Sequence, residues 1–359
     1  MKPIAFLQER LSTKARNILP MVCKEIPIVL VTTSRDLPKA SFHDVVFIEP
    51  SRYELGSAFA ISRCCDRLYR EGRISFSIQY SSIGFAILHC PYVHLINGSF
   101  YEDWLRSQRN RNYFRKIKSI IGFVHYSIPE FISCKRAKKI IAVSSALRDF
   151  VIETYGRDPR DVTVLYNGTD RQFFTLGQEK KKLDLQPKCI YIGRLHRNKG
   201  IAEVLEIFAN DKSIKCEFLV FGDGPDRGRI EFLAGRDARI RLMGHVSQEE
   251  LRKYMNETSI FVFPSHHEGF GLSLLEAMAS YHACICYDIP VNKELLGCGG
   301  LLARSFNASE IVENIIQCVK NTSLRLELSD QAQVLARKYT WDHSAKIFIE
   351  LCYQYSCFL

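Results

Sequence analysis

Residues 261–279 read FVFPSHHEGFGLSLLEAMA, and this stretch decides the fold class. Its apolar beginning predicts a short buried strand, and the apolar periodicity further on predicts a helix that begins at about Phe270. Gly269 and Gly271 stand in the turn between the two. A buried strand followed at once by a helix is the repeating unit of a parallel sheet with helices on both faces.

The same alternation of strand and helix runs through the rest of the chain. In the second half, short apolar runs recur between amphipathic segments, at residues 189–192, 217–221, 240–243, 260–263 and 284–287. The first half repeats the pattern less regularly, and 359 residues are more than one domain usually contains. We therefore predict an α/β protein with two Rossmann-like domains, over residues 1–167 and 168–340. A C-terminal helix over residues 341–359 is expected to pack back toward the first domain.

The turn within residues 261–279 has the chemistry of an anion site. Backbone N–H groups at the start of a helix have no partner within the helix, and Gly269 and Gly271 leave them accessible. Glu268 lies before the helix and Glu276 well inside it, so the two carboxylates point to different places and are not a glycosidase-like pair. Each can accept two hydroxyl groups, one carboxylate from a sugar and the other from a ribose.

A second candidate site follows the next predicted strand upstream. Residues 193–200 read GRLHRNKG, in which Gly193 and Gly200 bracket cations that include Arg194 and Lys199. Glycine permits close backbone approach, and such cations neutralise clustered negative charge. A diphosphate is the natural ligand of this loop, and a solvated basic loop is the alternative interpretation.

Together these segments resemble a known family. Glu268 and Glu276 have the spacing E-x₇-E, and the same half of the chain contains GRL…KG from residue 193, GDG at residues 222–224 and NGTD at residues 167–170. This combination is similar to the large family of retaining glycosyltransferases (group 1, family 4 type) that use nucleotide-sugar donors. The resemblance is specific over about residues 165–345 and weak over the first half. It implies the GT-B fold, two Rossmann-like domains with a deep cleft between them.

The resemblance also implies a role for each residue that carries it. Arg194 and Lys199 hold the donor diphosphate, Glu276 the ribose hydroxyls and Glu268 the transferred sugar. The remaining donor contacts are implied for His245 and Val246 near the base, and for Gly193, Gly222, Gly269, Phe270, Gly271 and Leu272. No cofactor or metal is expected, because the cations stabilise the leaving diphosphate.

Two residues of the first half complete the catalytic set of Arg194, Lys199 and Glu268. The family often carries a histidine before the glycine of a strand-end turn, where it contacts the donor sugar. Here Asn97 occupies that place; an amide can form hydrogen bonds but cannot take up a proton. His125 is the other candidate, with a histidine of the core as the alternative interpretation.

The positive charge of the chain lies entirely in its first half. Residues 1–171 contain 26 Lys and Arg against 16 Asp and Glu, whereas residues 172–359 contain 23 of each. Residues 104–121 combine apolar side chains at helical spacing with six cations, a pattern typical of a helix on an anionic membrane surface. A solvated basic helix face is the alternative, with a soluble sugar or protein as the acceptor.

These features predict an enzyme rather than a binding module. We expect a retaining, metal-independent hexosyltransferase that moves a hexose-type sugar from a nucleotide-diphosphate sugar to a saccharide or lipid-linked saccharide. Assembly of lipopolysaccharide, another cell-surface polysaccharide or a glycoconjugate would use such a reaction. The 13 cysteines, which include no C-x-x-C pair, fit a cytoplasmic location, with peripheral contact on the inner face of the membrane through residues 104–121. The alternatives are a nucleotide-sugar epimerase or sugar phosphorylase of the same fold, a donor-binding pseudoenzyme, or a nucleic-acid-binding protein; nucleic acid is not an expected partner.

Overall fold

The computed structural model describes residues 1–51, 54–99, 101–102, 123–180 and 186–358. These residues divide into two compact units, one formed by residues 1–168 with 341–359 and the other by residues 169–340. Each unit contains one parallel sheet with helices, which confirms the α/β fold class.

The sheet of the first unit has the strand order β3-β2-β1-β4-β5-β6-β7. Its strands are β1 (Ile4–Leu7), β2 (Ile28–Thr32), β3 (Asp44–Phe47), β4 (Ser77–Tyr80), β5 (Tyr92–Ile96), β6 (Lys139–Ala142) and β7 (Val162–Val164). Its helices, among the described residues, are α1 (Thr13–Val22), α2 (Glu54–Arg70), α3 (Ile128–Arg136) and α4 (Ser145–Tyr155). Strands β1, β2, β4 and β5 are fully buried because both faces of the sheet are covered, and β1 and β2 are almost entirely apolar.

The sheet of the second unit has the order β10-β9-β8-β11-β12-β13. Its strands are β8 (Cys189–Ile192), β9 (Phe218–Phe221), β10 (Ile240–Gly244), β11 (Ile260–Phe263), β12 (Ala283–Tyr287) and β13 (Gly300–Ala303). Its helices are α5 (Arg171–Lys180), α6 (Ile201–Asn210), α7 (Arg227–Arg236), α8 (Gln248–Glu257), α9 (Leu272–Ala279), α10 (Pro290–Leu296), α11 (Ala308–Lys320) and α12 (Thr322–Ala336). Helix α9 begins at Leu272, two residues later than expected, because Gly271 adopts a φ of +90° and serves as its N-cap.

The last helix, α13 (Trp341–Phe358), belongs to the first unit. Ser344 Oγ donates a hydrogen bond of 2.7 Å to the carbonyl of Tyr166. Further along the helix, the ring of Phe348 lies 6.4 Å from that of Phe6 in β1. The chain therefore returns to its first unit after completing the second.

Candidate active site

The order of strands in the second sheet reverses between β8 and β11. The chain builds β8, β9 and β10 in one direction and then places β11, β12 and β13 on the other side of β8. Open α/β sheets bind their ligands beyond the carboxyl ends of the strands at such a reversal. Two loops start from this point, residues 193–200 after β8 and residues 264–271 after β11.

Lys199 and Glu268 meet across these two loops. Lys199 Nζ donates to Glu268 Oε1 at 2.5 Å, and the two side chains are 27% and 14% exposed. The sequence assigned them separate ligands and did not predict that they form an ion pair. A half-buried pair of this kind holds both groups in one orientation and leaves part of each open to solvent.

The approach of the two loops depends on Gly200. Its φ is +66°, and a Cβ at this position would lie 2.2 Å from the carbonyl oxygen of Pro264. Beside it, the backbone N–H of His266 donates to the carbonyl of Asn198 at 2.9 Å. Any larger residue at position 200 would push the loops apart, so this glycine places Lys199 opposite Glu268.

The turns after β8 and β9 also pack closely. Gly222 has a φ of +130°, and a Cβ there would lie 1.9 Å from the carbonyl oxygen of Gly193. Its N–H donates to the carbonyl of Gly244 at the end of β10, at 2.9 Å. Gly222 thus lies at a point where three strand ends meet. A role of Gly193 and Gly222 in holding a donor stays a prediction.

Arg194 lies next to this turn and faces solvent. Tyr191 Oη donates to its backbone carbonyl at 2.9 Å and fixes the local backbone. Within the described part of the chain, its guanidinium has neither a hydrogen-bond partner nor an ion-pair partner, unlike the ammonium of Lys199. Arg194 is therefore a charge at the strand reversal that is available to an anionic ligand.

Helix α9 starts at the same edge of the sheet. Gly271 precedes it and has no side chain with which to cap the first turn, and Leu275 bonds back to the carbonyl of Gly271. Phe270 is buried and packs its ring edge-on against Tyr339, with 6.1 Å between the ring centres. The start of the helix is thus anchored by Phe270, and its first amides face the carboxyl edge where an anion would be stabilised.

Glu276 lies half-buried in helix α9. Burial raises the pKa of its carboxyl to about 7, and the nearby charge of Asp170 adds to this rise. The pKa of Asp170 is also raised, chiefly by burial and against the opposing charge of Arg252. Among the described residues the Glu276 carboxyl has no hydrogen-bond partner, so a ligand hydroxyl group would satisfy it.

Asp170 is a candidate that the residue-by-residue reasoning did not single out. It lies in the NGTD segment, far from Glu276 in sequence, and it influences the same carboxyl. The isolated bridge between Thr169 and Thr340 joins the two ends of the second unit next to it. The NGTD motif was the sequence signal for Asp170, but the motif does not show which residue lies near its aspartate.

His245 and Val246 follow β10 and lead into helix α8. His245 is exposed and Val246 half-buried. Helix α8 begins with a capping box, in which the side chains of Ser247 and Glu250 bond to each other's backbone N–H groups at 3.2 and 3.0 Å. The structure places these residues at the same edge of the sheet as the turn at Gly222.

The candidates of the first unit are described separately. Asn97 follows β5, is exposed, and accepts a hydrogen bond of 2.9 Å at Oδ1 from Tyr80 Oη at the end of β4. His125 lies in a π-helical turn over Phe123–Ser127, and its side chain is outside the described residues. The basic segment at residues 104–121 lies wholly outside them too, so its proposed membrane contact stays a prediction. No helix in the described ranges is both long and apolar enough to cross a membrane.

Two adjoining family models match the chain. Residues 26–173 match Glycosyltransferase Family 4, and residues 173–334 match Glycosyl transferases group 1. Together the two models span residues 26–334. The chain therefore belongs to the group 1, family 4 type of glycosyltransferases and has the GT-B fold of that family.

Individual relatives are more distant. The O-antigen chain mannosyltransferase RfbU of Salmonella typhimurium is 28% identical over 188 residues, which cover 51% of each chain. Sucrose-phosphate synthase from Thermosynechococcus elongatus has a similar structure over 100% of both chains, with a TM-score of 0.78 and 16% identity. Anabaena HepE, solved with UDP-glucose, matches 99% of this chain and 100% of its own with a TM-score of 0.73 and 14% identity. In sequence, the chain spans about half the length of the curated relatives it matches, between 44% and 57% for the first three.

Proposed function

We propose that this glycosyltransferase moves a hexose-type sugar from a nucleotide-diphosphate sugar to a saccharide or lipid-linked saccharide, with retention of the anomeric configuration. The acceptor we propose belongs to the assembly of a cell-surface polysaccharide. Relatives named for O-antigen and capsule synthesis support this choice of acceptor. HepE, which was solved with UDP-glucose, supports a nucleotide sugar as the donor.

The observation that carries the proposal is the charge arrangement at the reversal between β8 and β11. There Lys199 is held by Glu268 at 2.5 Å, and Arg194 is exposed in the same loop as Lys199. The start of helix α9 adds backbone amides to the same edge. Cations and a helix N-terminus in one place suit a diphosphate, which gains negative charge when its bond to the sugar breaks.

In the proposed reaction, each of these groups binds a different part of the donor. The anomeric C–O bond to the diphosphate breaks while the acceptor hydroxyl attacks the same face of the sugar, and its proton leaves with the diphosphate. Arg194 and Lys199 stabilise the departing charge, Glu268 binds sugar hydroxyls, and Glu276 binds the ribose. His245 and Val246 contact the base. Asn97 and His125 are the proposed contacts of the first unit with substrate.

Because two side-chain cations take the charge of the leaving group, we propose that the reaction needs no metal ion. Activity should therefore survive EDTA. A nucleotide-sugar epimerase or sugar phosphorylase would use the same donor site, but neither forms a new glycosidic bond from a nucleotide sugar.

A donor screen followed by product analysis tests the proposal. UDP- and GDP-sugars are compared by thermal shift, since a ligand at 100 times its Kd adds about 2.7 kcal/mol to the stability of the protein. The best donor is then incubated with saccharide acceptors, and NMR of the first product reports the anomeric configuration. A product of inverted configuration would contradict retention, and the absence of transfer with any donor that binds would contradict a transferase.

A further inference from the structure

Three aromatic rings lie together at the carboxyl ends of β11, β12 and β13. The imidazole of His266 stacks on the ring of Tyr287 with 4.9 Å between centres and on the ring of Phe306 with 4.1 Å, each at an interplanar angle of 12°. Tyr287 is buried, whereas Phe306 is 56% exposed. An exposed phenyl ring therefore covers a histidine that lies two residues before Glu268.

Phe306 is held in an unfavourable backbone conformation. Its φ is +65°, a region that residues with a Cβ adopt rarely, and among the described non-glycine residues only Tyr281 shares it. Tyr281 is buried and follows the end of helix α9, where the His282 N–H bonds back to the Ala277 carbonyl at 3.2 Å, so the helix terminus accounts for its conformation. Phe306 lies in a turn closed by a 3.0 Å hydrogen bond from the Asn307 N–H to the Arg304 carbonyl, at a position that glycine or asparagine usually fills. An exposed phenylalanine at such a position points to a role in a site.

His266 connects this ring to the pair formed by Lys199 and Glu268. Its backbone N–H donates to the carbonyl of Asn198 at 2.9 Å, and its Nε2 lies 3.2 Å from where a Cβ of Gly200 would be. His266 thus contacts the loop that carries Lys199 on both sides of that lysine. Fixing the imidazole fixes the separation of the two loops at the strand reversal.

We infer that Phe306 is a positioning residue for glycosyl transfer. By stacking on His266 it holds the loops of residues 193–200 and 264–271 at the distance at which Lys199 and Glu268 meet. It contacts no reacting atom itself, and its effect passes through Glu268. The inference rests on the proposed function, because it assigns Phe306 to the step in which Lys199 and Glu268 act.

The test compares Phe306→Leu, which keeps an apolar side chain but loses the ring, with Phe306→Tyr, which keeps the ring. In Phe306→Leu we expect kcat to fall on the order of tenfold, because small misplacements of catalytic groups have effects of this size or larger. The Kd for the nucleoside diphosphate should rise by a smaller factor than kcat falls, since only Lys199 among its proposed contacts is displaced and Arg194 and Glu276 are untouched. Phe306→Tyr should restore kcat. Phe232→Leu, which removes an exposed ring from helix α7 of the same unit, is the matched control and should leave kcat unchanged.

A double-mutant cycle with Glu268→Gln distinguishes positioning from a general structural role. Once Glu268 is changed, Phe306→Leu should have little further effect on kcat, whereas independent effects would multiply. Phe306→Asn provides a second variant that tolerates the positive φ; it should lower kcat without lowering the melting temperature.

Several results would overturn the inference. These are a kcat of Phe306→Leu equal to that of the wild type, a full loss that persists in the Glu268→Gln background, or an equal loss in the Phe232→Leu control. In all three cases wild-type transfer would still stand, so the proposed function would survive. Failure of the wild type to transfer sugar from any donor would overturn both.

Discussion

At the carboxyl edge of the second sheet, Lys199 and Glu268 form a half-buried ion pair, and Arg194 is exposed in the same loop as Lys199. At the carboxyl ends of β4 and β5 in the first sheet, two neutral side chains bond to each other instead. Tyr80 donates to Asn97 at 2.9 Å, and burial raises the pKa of the Tyr80 hydroxyl to about 12. The difference indicates where a strongly charged ligand can bind. Cations attract a diphosphate, whereas neutral amides and hydroxyls suit the hydroxyl groups of a saccharide.

The largest expected effect is the loss of a cation from the second edge. Lys199→Ala or Arg194→Ala should lower kcat on the order of 10²–10³, as removal of one preorganised donor does in other enzymes. Lys253→Ala, on the exposed surface of helix α8 with an ordinary partner in Glu249, is the matched control and should keep kcat. Circular dichroism checks the fold of each variant. If both active-site variants turned over normally, the charged edge would not be where the diphosphate binds.

The next effect concerns the geometry of that edge. Gly200→Ala should destabilise the protein by on the order of 1–3 kcal/mol, because a Cβ would meet the Pro264 carbonyl at a φ of +66°. Gly228→Ala is the control: this glycine lies inside helix α7 with nothing within 4 Å of a new Cβ, so alanine should stabilise by about 0.5–1 kcal/mol. Chemical denaturation measures both. Equal stability of the two variants would show that residue 200 does not set the distance between the loops.

The two units should also differ in how their stability depends on pH, through Glu276 in the second unit and Lys14 in the first. The pKa of Glu276 is raised to about 7, chiefly by burial, so the folded protein holds this proton where the unfolded chain has lost it. Stability should therefore fall as the pH rises from about 4.5 to 7, and Glu276→Gln should remove this component. Melting temperatures at pH 5 and pH 7.5 measure it, with the exposed Glu249→Gln as control.

Lys14 of the first unit gives the reverse dependence. It is buried, donates to the carbonyl of Leu165 at 2.6 Å, and has a pKa lowered to about 7 by burial. The unfolded chain binds the proton more strongly than the folded protein between about pH 7 and 10.5, so this contribution to stability should rise across that range. Lys14→Met should abolish the rise in melting temperature between pH 7 and 9. A variant with the same pH profile as the wild type would contradict a buried, neutral lysine.

The smallest expected effect is at the neutral edge. Tyr80→Phe removes the hydrogen bond to Asn97 and should raise the KM for the acceptor by a few-fold, on the order of the 0.5–1.5 kcal/mol of one neutral hydrogen bond. Binding of the nucleoside diphosphate should not change. Tyr353→Phe, whose hydroxyl makes only a 3.5 Å contact to the Glu25 carbonyl, is the control. A change in nucleotide affinity in Tyr80→Phe would contradict the assignment of the nucleotide to the second edge and the saccharide to the first.

Much of the second unit could be predicted from its sequence because each strand, turn and helix there is a continuous stretch. The E-x₇-E segment and the GRLHRNKG loop carry their own chemistry, and their strands are buried and regular. Helix α12 was missed for a physical reason: Leu324, Leu326 and Leu328 alternate with charged residues, a period of two that is typical of a strand. Helix α1 contains Pro20, which indicates an interruption rather than a helix.

The site could be predicted only as far as its residues act locally. The ion pair of Lys199 with Glu268 joins positions 69 residues apart, and the effect of Asp170 on Glu276 spans most of the unit. The stack of Phe306 on His266 depends on the order of β11, β12 and β13 in the sheet. Sequence spacing gives no information on such contacts, because they are set by which strands are neighbours.

Calorimetry of donor binding tests the central claim most directly. A nucleotide sugar chosen by thermal shift, and its nucleoside diphosphate, are titrated into the wild type, Glu276→Ala and the Glu249→Ala control. We expect each ligand to bind the control with the same affinity as the wild type. Each should bind Glu276→Ala at least about tenfold more weakly, because the ribose loses the carboxyl group that accepts its hydroxyls. Unchanged affinity in Glu276→Ala, or no binding of any nucleotide sugar to the wild type, would contradict a donor site at the carboxyl edge of the second sheet.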